Sequence, residues 1–206
     1  MSNTVENQFK VKLQHPTDNT RRVVFEVSPE LVENRSVNYK SLDPIHMPGQ
    51  IFVYGSTSSR SFNIANVRLI SRTPTEAQKN LEILHLLRFW CMPRFGKQTS
   101  LEDRSLGALG APPDVVLLSA YSKTPGNTSR ANDAAQQMGH INRVPVVITQ
   151  LSIPYPSDVD YIPTSKDKVP MPTIMTLDMS LVETHSAVEY ENFSLASFKN
   201  GTLPGF

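Results

Sequence analysis

Apolar and polar positions alternate in blocks along this chain, and the blocks predict strands. Phe9, Val11 and Leu13 interleave with Lys10 and Lys12. After the turn-forming His15-Pro16-Thr17-Asp18-Asn19 a second run extends from Arg22 to Val27, so the two read as a β-hairpin. Ile51-Phe52-Val53-Tyr54 predicts a short strand, and the polar loop Gly55 to Arg60 leads into a longer one over Phe62 to Ile70, with Ala65, Val67 and Leu69 on one face. Asp114 to Tyr121 is a continuous apolar run of strand length, the pattern of a central strand covered on both faces. A long strand follows from Ile141 to Ile153, closed by Pro154-Tyr155-Pro156. Near the end, Met175, Leu177, Met179 and Leu181 alternate with Thr176, Asp178 and Ser180 across Thr173 to Thr184, which predicts one buried face.

The period changes once. Thr73 is placed to cap a helix, Pro74 suits its first position, and Glu76 stands three residues after the cap. Ala77, Leu81, Leu84 and Arg88 then recur at helical spacing beside Ile83, Leu86, Leu87 and Trp90, predicting a helix over about residues 74–91 that Met92-Pro93 terminates. Its wide apolar face has to be covered by a sheet or a partner. Residues 28–50 carry Pro29, Pro44, Pro48 and Gly49 with little periodicity and read as an irregular connection; residues 94–112 read as a link. Residues 122–140 hold almost no bulky apolar side chain, and a polar excursion of that length inside a domain signals function or disorder. Residues 186–206 form a C-terminal arm with a helical turn around Val188 to Phe198, ending in Phe206. The expectation is a single mainly β (α+β) domain over residues 1–206 with one flanking helix and long polar loops.

Composition narrows what such a domain does. The 206 residues are 39% hydrophobic and 19% charged, enough for a core, and sixteen prolines against nine glycines favour rigid turns and extended segments. The net charge of +1 gives no overall footprint for nucleic acid or an acidic membrane and leaves only a local basic patch open. Cys91 is the one cysteine, so no internal disulfide and no tetrahedral thiolate site can form. The first residues carry no basic-then-apolar leader, and no apolar run approaches the roughly 20 residues that span a bilayer, which predicts a soluble, unexported product.

Catalytic signals are weak. The histidines at 15, 46, 85, 140 and 185 show no metal-binding spacing. Cys91, between Trp90 and Met92 at a helix end, reads as a small hydrophobe rather than a nucleophile. Gly55-Ser56-Thr57-Ser58-Ser59 lacks the second glycine and following helix of a nucleophile elbow, and Gly96-Lys97 lacks the rest of a phosphate-binding loop. Asp158/Asp160 and Glu189/Glu191 stand two apart in polar stretches and read as solvated. Long alternating strands, one covering helix and polar excursions instead describe a module whose product is surface, with sheet edges used rather than hidden.

Stretches covering residues 62 to 198 carry a resemblance. Phe62-Asn63-Ile64-Ala65-Asn66-Val67-Arg68-Leu69-Ile70-Ser71-Arg72-Thr73-Pro74, running through the helix to Phe95-Gly96, is similar to the strand, polar Arg-Thr element and helix of baseplate-to-tail-tube junction proteins, the tail tube initiators of contractile-tailed bacteriophages. Pro112-Pro113-Asp114-Val115-Val116-Leu117-Leu118 with Ile141 to Tyr155 resembles the next two strands of that family, and Pro172 to Thr184 with Phe193 to Phe198 its closing strand and C-terminal arm.

The resemblance implies a tail-tube-like β-sandwich or open barrel with a flanking helix, six copies of which join edge to edge into a homohexameric ring. It implies a virion protein of the tail baseplate, made in the host cytoplasm, that sits on the hub and nucleates tube polymerisation. Implied partners are the chain itself, the tail tube or an adjacent tube-initiator protein, the baseplate hub, and wedge and tape measure proteins. No cofactor, sequence-specific nucleic acid or membrane is expected, nor any catalytic residue. The interface residues chosen are Gly55, Ser58 and Arg60 in the first polar loop, Lys123, Arg130 and His140 in the second, and Tyr190, Phe198 and Phe206 in the arm. The alternatives are a repeating tube subunit of a tail or secretion system and, more remotely, a baseplate hydrolase using Cys91 or a serine with a histidine.

Overall fold

A computed structural model describes residues 10–18, 20–43, 45, 48–93, 110–122 and 139–200. Seven strands build one sheet: β1 (Lys12–Gln14), β2 (Arg22–Val24), β3 (Glu30–Asn34), β6 (Ser61–Ile70), β7 (Val116–Ser122), β8 (Gly139–Ser152) and β11 (Ile174–Glu183), in the order β2-β1-β7-β8-β11-β6-β3. Every neighbouring pair is antiparallel. The sheet is open, with β2 and β3 at its two margins. Two further hairpins, β4 (Val37–Leu42) with β5 (Ile51–Thr57) and β9 (Tyr161–Pro163) with β10 (Pro170–Pro172), stand outside it. The protein is mainly β with one main helix, as the hydrophobic pattern predicts.

That helix, α1 (Pro74–Trp90), starts where the capping residues place it. Thr73 Oγ1 accepts from Glu76 N at 3.3 Å, and the Glu76 carboxylate reaches back to accept from Arg72 N at 2.8 Å. The helix buries Ala77, Asn80, Leu84, Leu87 and Trp90. Asn80 is the polar member of this stripe; its Nδ2 donates to Ile70 O and to Ser71 Oγ, both at 2.9 Å, and so ties the helix to the end of β6. The buried face of β11, Met175, Leu177, Met179 and Leu181, joins the helix stripe, Phe62 and Ile64 of β6, and Leu13 and Val23 of the first hairpin in one core.

Bulges keep the core face in phase along the long strands. Opposite Asp178, β6 has two residues, Ala65 and Asn66, between Ile64 and Val67. Both turn away from the core, so Phe62 and Ile64 before the bulge and Val67 and Leu69 after it are all buried. Ala65 therefore does not share a face with Val67 and Leu69, which the uninterrupted alternation had implied. Asn66 takes the left-handed conformation at φ 55°, tolerable for asparagine, and its N–H donates to Asp178 Oδ1 at 2.9 Å. Asp178→Ala should cost about 0.5–1.5 kcal/mol in urea unfolding, because the bond is exposed and its amide can turn to water; an unchanged midpoint would show that the carboxylate does not hold the bulge.

Residues 28–50 are not the irregular connection expected. They contain β3 and β4. β3 is an edge strand with only Leu31 partly buried, and every residue of β4 is exposed, so neither buries a face and neither leaves a period-2 signal. The polar loop is also shorter than expected, since β5 runs on through Gly55, Ser56 and Thr57. The C-terminal arm carries two short helices, α2 (Ala187–Glu191) and α3 (Leu195–Lys199), the first opened by a reciprocal Ser186/Glu189 cap.

Candidate functional site

The β4–β5 hairpin prolongs β3 and β6 beyond the margin of the sheet. At its root the Ser58 hydroxyl lies 2.9 Å from Ser36 Oγ and accepts from Ser36 N at 3.1 Å, while Ser58 N donates to Ser36 O at 2.9 Å. Gly55 is an extra residue between the Asn38–Ser56 and Tyr39–Tyr54 pairs, and a Cβ there would stand 3.2 Å from Asn38 O. Beyond this bulge the pairs Tyr39–Tyr54 and Ser41–Phe52 share one face, and Lys40–Val53 and Leu42–Ile51 share the other. Both faces are apolar and both are uncovered: Tyr39 is 55% exposed, Phe52 65% and Tyr54 58%, with Ile51, Val53 and Leu42 open on the reverse. Tyr39 and Tyr54 meet edge to face at 6.0 Å, and Tyr54 Oη lies 3.0 Å from Thr57 Oγ1. An isolated two-stranded ribbon is marginal in water, and large exposed apolar surface marks a contact region.

Beneath the hairpin root lies an ionic hub. Glu183, at the end of β11, is 3% exposed, and its carboxylate accepts from Arg60 Nη2 at 2.7 Å, Arg60 Nε at 3.0 Å and Arg60 N at 3.2 Å. His185 Nε2 is 2.8 Å from Glu183 Oε1 and Arg35 Nη2 is 3.5 Å from Oε2. Arg60 Nη1 stands 3.4 Å from Glu33 Oε1, and its guanidinium lies 5.5 Å from the Phe62 ring centroid. His185 Nδ1 is 3.8 Å from Glu189 Oε2 in α2. Burial pushes the Glu183 acid up, but the Arg60 and His185 hydrogen bonds and the Arg60 charge outweigh it and hold the carboxyl below its ordinary value. The hub thus ties β3, the hairpin root, β11 and the arm to one buried carboxylate.

The remaining titratable groups assemble no reaction centre among the described residues. His15 spends Nδ1 accepting from Asp18 N at 3.2 Å, which leaves Nε2 toward Asp114 at 3.9 Å, a turn-fixing arrangement. Burial raises the Cys91 thiol, against a thiolate nucleophile. A cleft of about 400 Å³ is lined by Cys91 itself, Arg88, Met92, Ile148 to Leu151 of β8 and Ile153 just past its end, with no histidine. No group of three or more His, Cys, Asp or Glu among the described residues could hold a metal ion, and no described helix is long and apolar enough to cross a membrane.

The interface residues chosen from sequence scatter in their fates. Gly55 sits in the hairpin bulge and Ser58 clamps its root. Arg60 is a correction: instead of lying on an exposed loop it is 6% exposed, drawn inward by Glu183. Tyr190 is exposed and meets His185 edge-on at 5.4 Å, and Phe198 is half-buried 5.7 Å from Phe193. His140 contributes its backbone to β8, and its side chain lies outside the described residues, as do Lys123, Arg130 and Phe206. Sequence reasoning missed Tyr39, Phe52 and Val53 as surface and Glu183 with Arg35 and His185 as a hub. The Tyr54-Gly55 step after an apolar run was the one available sign of a bulged ribbon. Compared with known proteins, the chain matches no family model and no characterised sequence.

Proposed function

We propose that this is a structural protein of a contractile phage tail, forming a hexameric ring that joins the baseplate hub to the tail tube and nucleates tube polymerisation. The observation that carries the reading is the β4–β5 ribbon, apolar on both faces and uncovered on both. A ribbon exposed in this way gains most by lying between two surfaces. Two open sheet margins, at β2 and β3, add backbone groups ready to pair with a neighbouring copy. The exposed Val188, Tyr190 and Leu195 of the arm supply a second apolar surface for the hub, the tube or its adjacent initiator, and wedge or tape measure proteins. The chain acts by geometry in the virion baseplate.

The test is the solution mass of the purified chain by light scattering with negative-stain images, alone and with baseplate hub protein. A closed sixfold ring is the expected result, and a folded monomer that ignores the hub would sink the reading. Tyr39→Lys with Phe52→Lys should cost the monomer no more than about 1.5 kcal/mol, chiefly the Tyr39–Tyr54 edge-to-face contact, yet abolish the ring. A ring that survives both changes would remove the ribbon from the interface. A repeating tube subunit would use the same surfaces, and copy number relative to sheath protein in particles separates it from a single junction ring.

A further inference from the structure

The outer face of the sheet, opposite the core, becomes basic at its β2 end. Lys12 of β1 stands opposite Val24 of β2 and Ser119 of β7, and Arg22 of β2 stands opposite Gln14. Facing residues share a face, so Lys12 and Arg22 are diagonal neighbours on it, about 7–8 Å apart at the backbone. The β8 bulge adds a third cation. Two residues, Asn142 and Arg143, stand between Ile141 and Val144, whose side chains both hold the core, so both intervening residues turn outward opposite Ser119. Arg143 N donates to Ser119 Oγ at 3.1 Å.

Lys12, half-buried, thus lies between two exposed arginines. Their facing neighbours on the adjacent strands, Gln14, Val24, Leu117, Ser119 and Pro145, include no carboxylate. Among the described residues no ion pair or hydrogen bond engages any of the three cationic heads. Ser119 is 3% exposed, and its hydroxyl, accepting from Arg143 N, keeps its own proton to donate, with no acceptor among the described residues. Burial, then Arg143, then Arg22 hold the Lys12 ammonium below the usual lysine range, the signature of a cation that lacks a counter-charge. In a chain with net charge +1, such crowding is local.

We propose that Lys12, Arg22, Arg143 and the Ser119 hydroxyl form a binding site for a phosphoryl group. The two guanidinium forks can share the terminal phosphoryl oxygens between them, the ammonium supplies a point charge from below, and the hydroxyl donates to one of the same oxygens, each of which accepts more than one hydrogen bond. A lone carboxylate brings one negative charge to three cations, whereas a phosphate monoester brings close to two and a nucleic-acid strand one at each successive phosphate. The site uses neither the ribbon nor the arm, and although Arg22 lies on the β2 margin, its side chain stands on the face of the sheet rather than along the edge, so the site does not rest on the assembly reading. Free phosphate compounds and the phosphodiester backbone of nucleic acid present the same group.

The test uses the full chain at constant ionic strength. Calorimetric titration with inorganic pyrophosphate should show binding that Arg22→Gln with Arg143→Gln weakens about tenfold or more and that Lys12→Met also weakens. Both arginines are exposed, and circular dichroism checks that the variants fold. Competition by a short single-stranded oligonucleotide, lost in the same variants, identifies the phosphodiester as the source; pyrophosphate binding without competition identifies a free phosphate compound. No heat with pyrophosphate, or equal binding by wild type and variants, overturns the proposal.

Discussion

Arg60→Ala should lower folding stability by about 3–5 kcal/mol, because it strands the Glu183 carboxylate in the interior after removing its bidentate partner. The guanidinium is 7% exposed and the carboxylate 1%, so water replaces little of what is lost. His185 and Arg35 remain, one bound to each carboxylate oxygen, and they set the lower end of the range. The double variant Arg60→Met with Glu183→Leu should recover most of the loss, since neither charge is then buried alone. Urea unfolding of wild type, singles and double forms the cycle, and a single-variant cost under about 1 kcal/mol would mean that the pair is solvated.

The same hub sets an acid limit. Glu183 is held below the ordinary glutamate value of 4.5 in the folded chain. A depressed folded value means that the unfolded chain takes up the proton first, so the contribution is fully present above the unfolded value and is lost as pH falls through the lower folded one. The unfolding free energy should therefore fall more steeply below pH 4.5 in wild type than in Glu183→Gln. Parallel profiles would remove Glu183 from the acid transition.

What was legible in the sequence was whatever buries a face. The Met175 to Leu181 alternation and the Thr73-Pro74-Glu76 start of α1 appear in the structure where the pattern puts them, because a core face and a cap each impose a spacing. The Ile51 to Tyr54 run was readable as a strand but not as an exposed ribbon, because an unbroken apolar run is also the pattern of a strand covered on both faces. The hub was illegible for a different reason. Arg35, Arg60 and the Glu183/His185 pair are far apart in sequence, and only pairing of β3 and β11 with β6 brings the three together. Arg143 joined Lys12 through a bulge that no local pattern announces.

Leu84→Asp should cost at least about 4 kcal/mol, a large share of the roughly 5–15 kcal/mol that keeps a domain folded. Leu84 is 1% exposed in the centre of the α1 stripe, so the carboxylate would enter the core with no partner. Should that variant fail to fold, Leu84→Ala remains measurable at about 2–5 kcal/mol by loss of packing. His85→Asp, one position along and exposed, should fall within about 0.5 kcal/mol of wild type. The contrast bears on assembly as well as stability. A helix whose apolar stripe is consumed by the sheet has nothing apolar left to offer on that face, so the proposed ring would have to dock through the ribbon, the arm and the sheet margins. A Leu84→Asp chain that melted normally but failed to assemble would reverse this, making the stripe the docking face and the sheet beneath it incomplete.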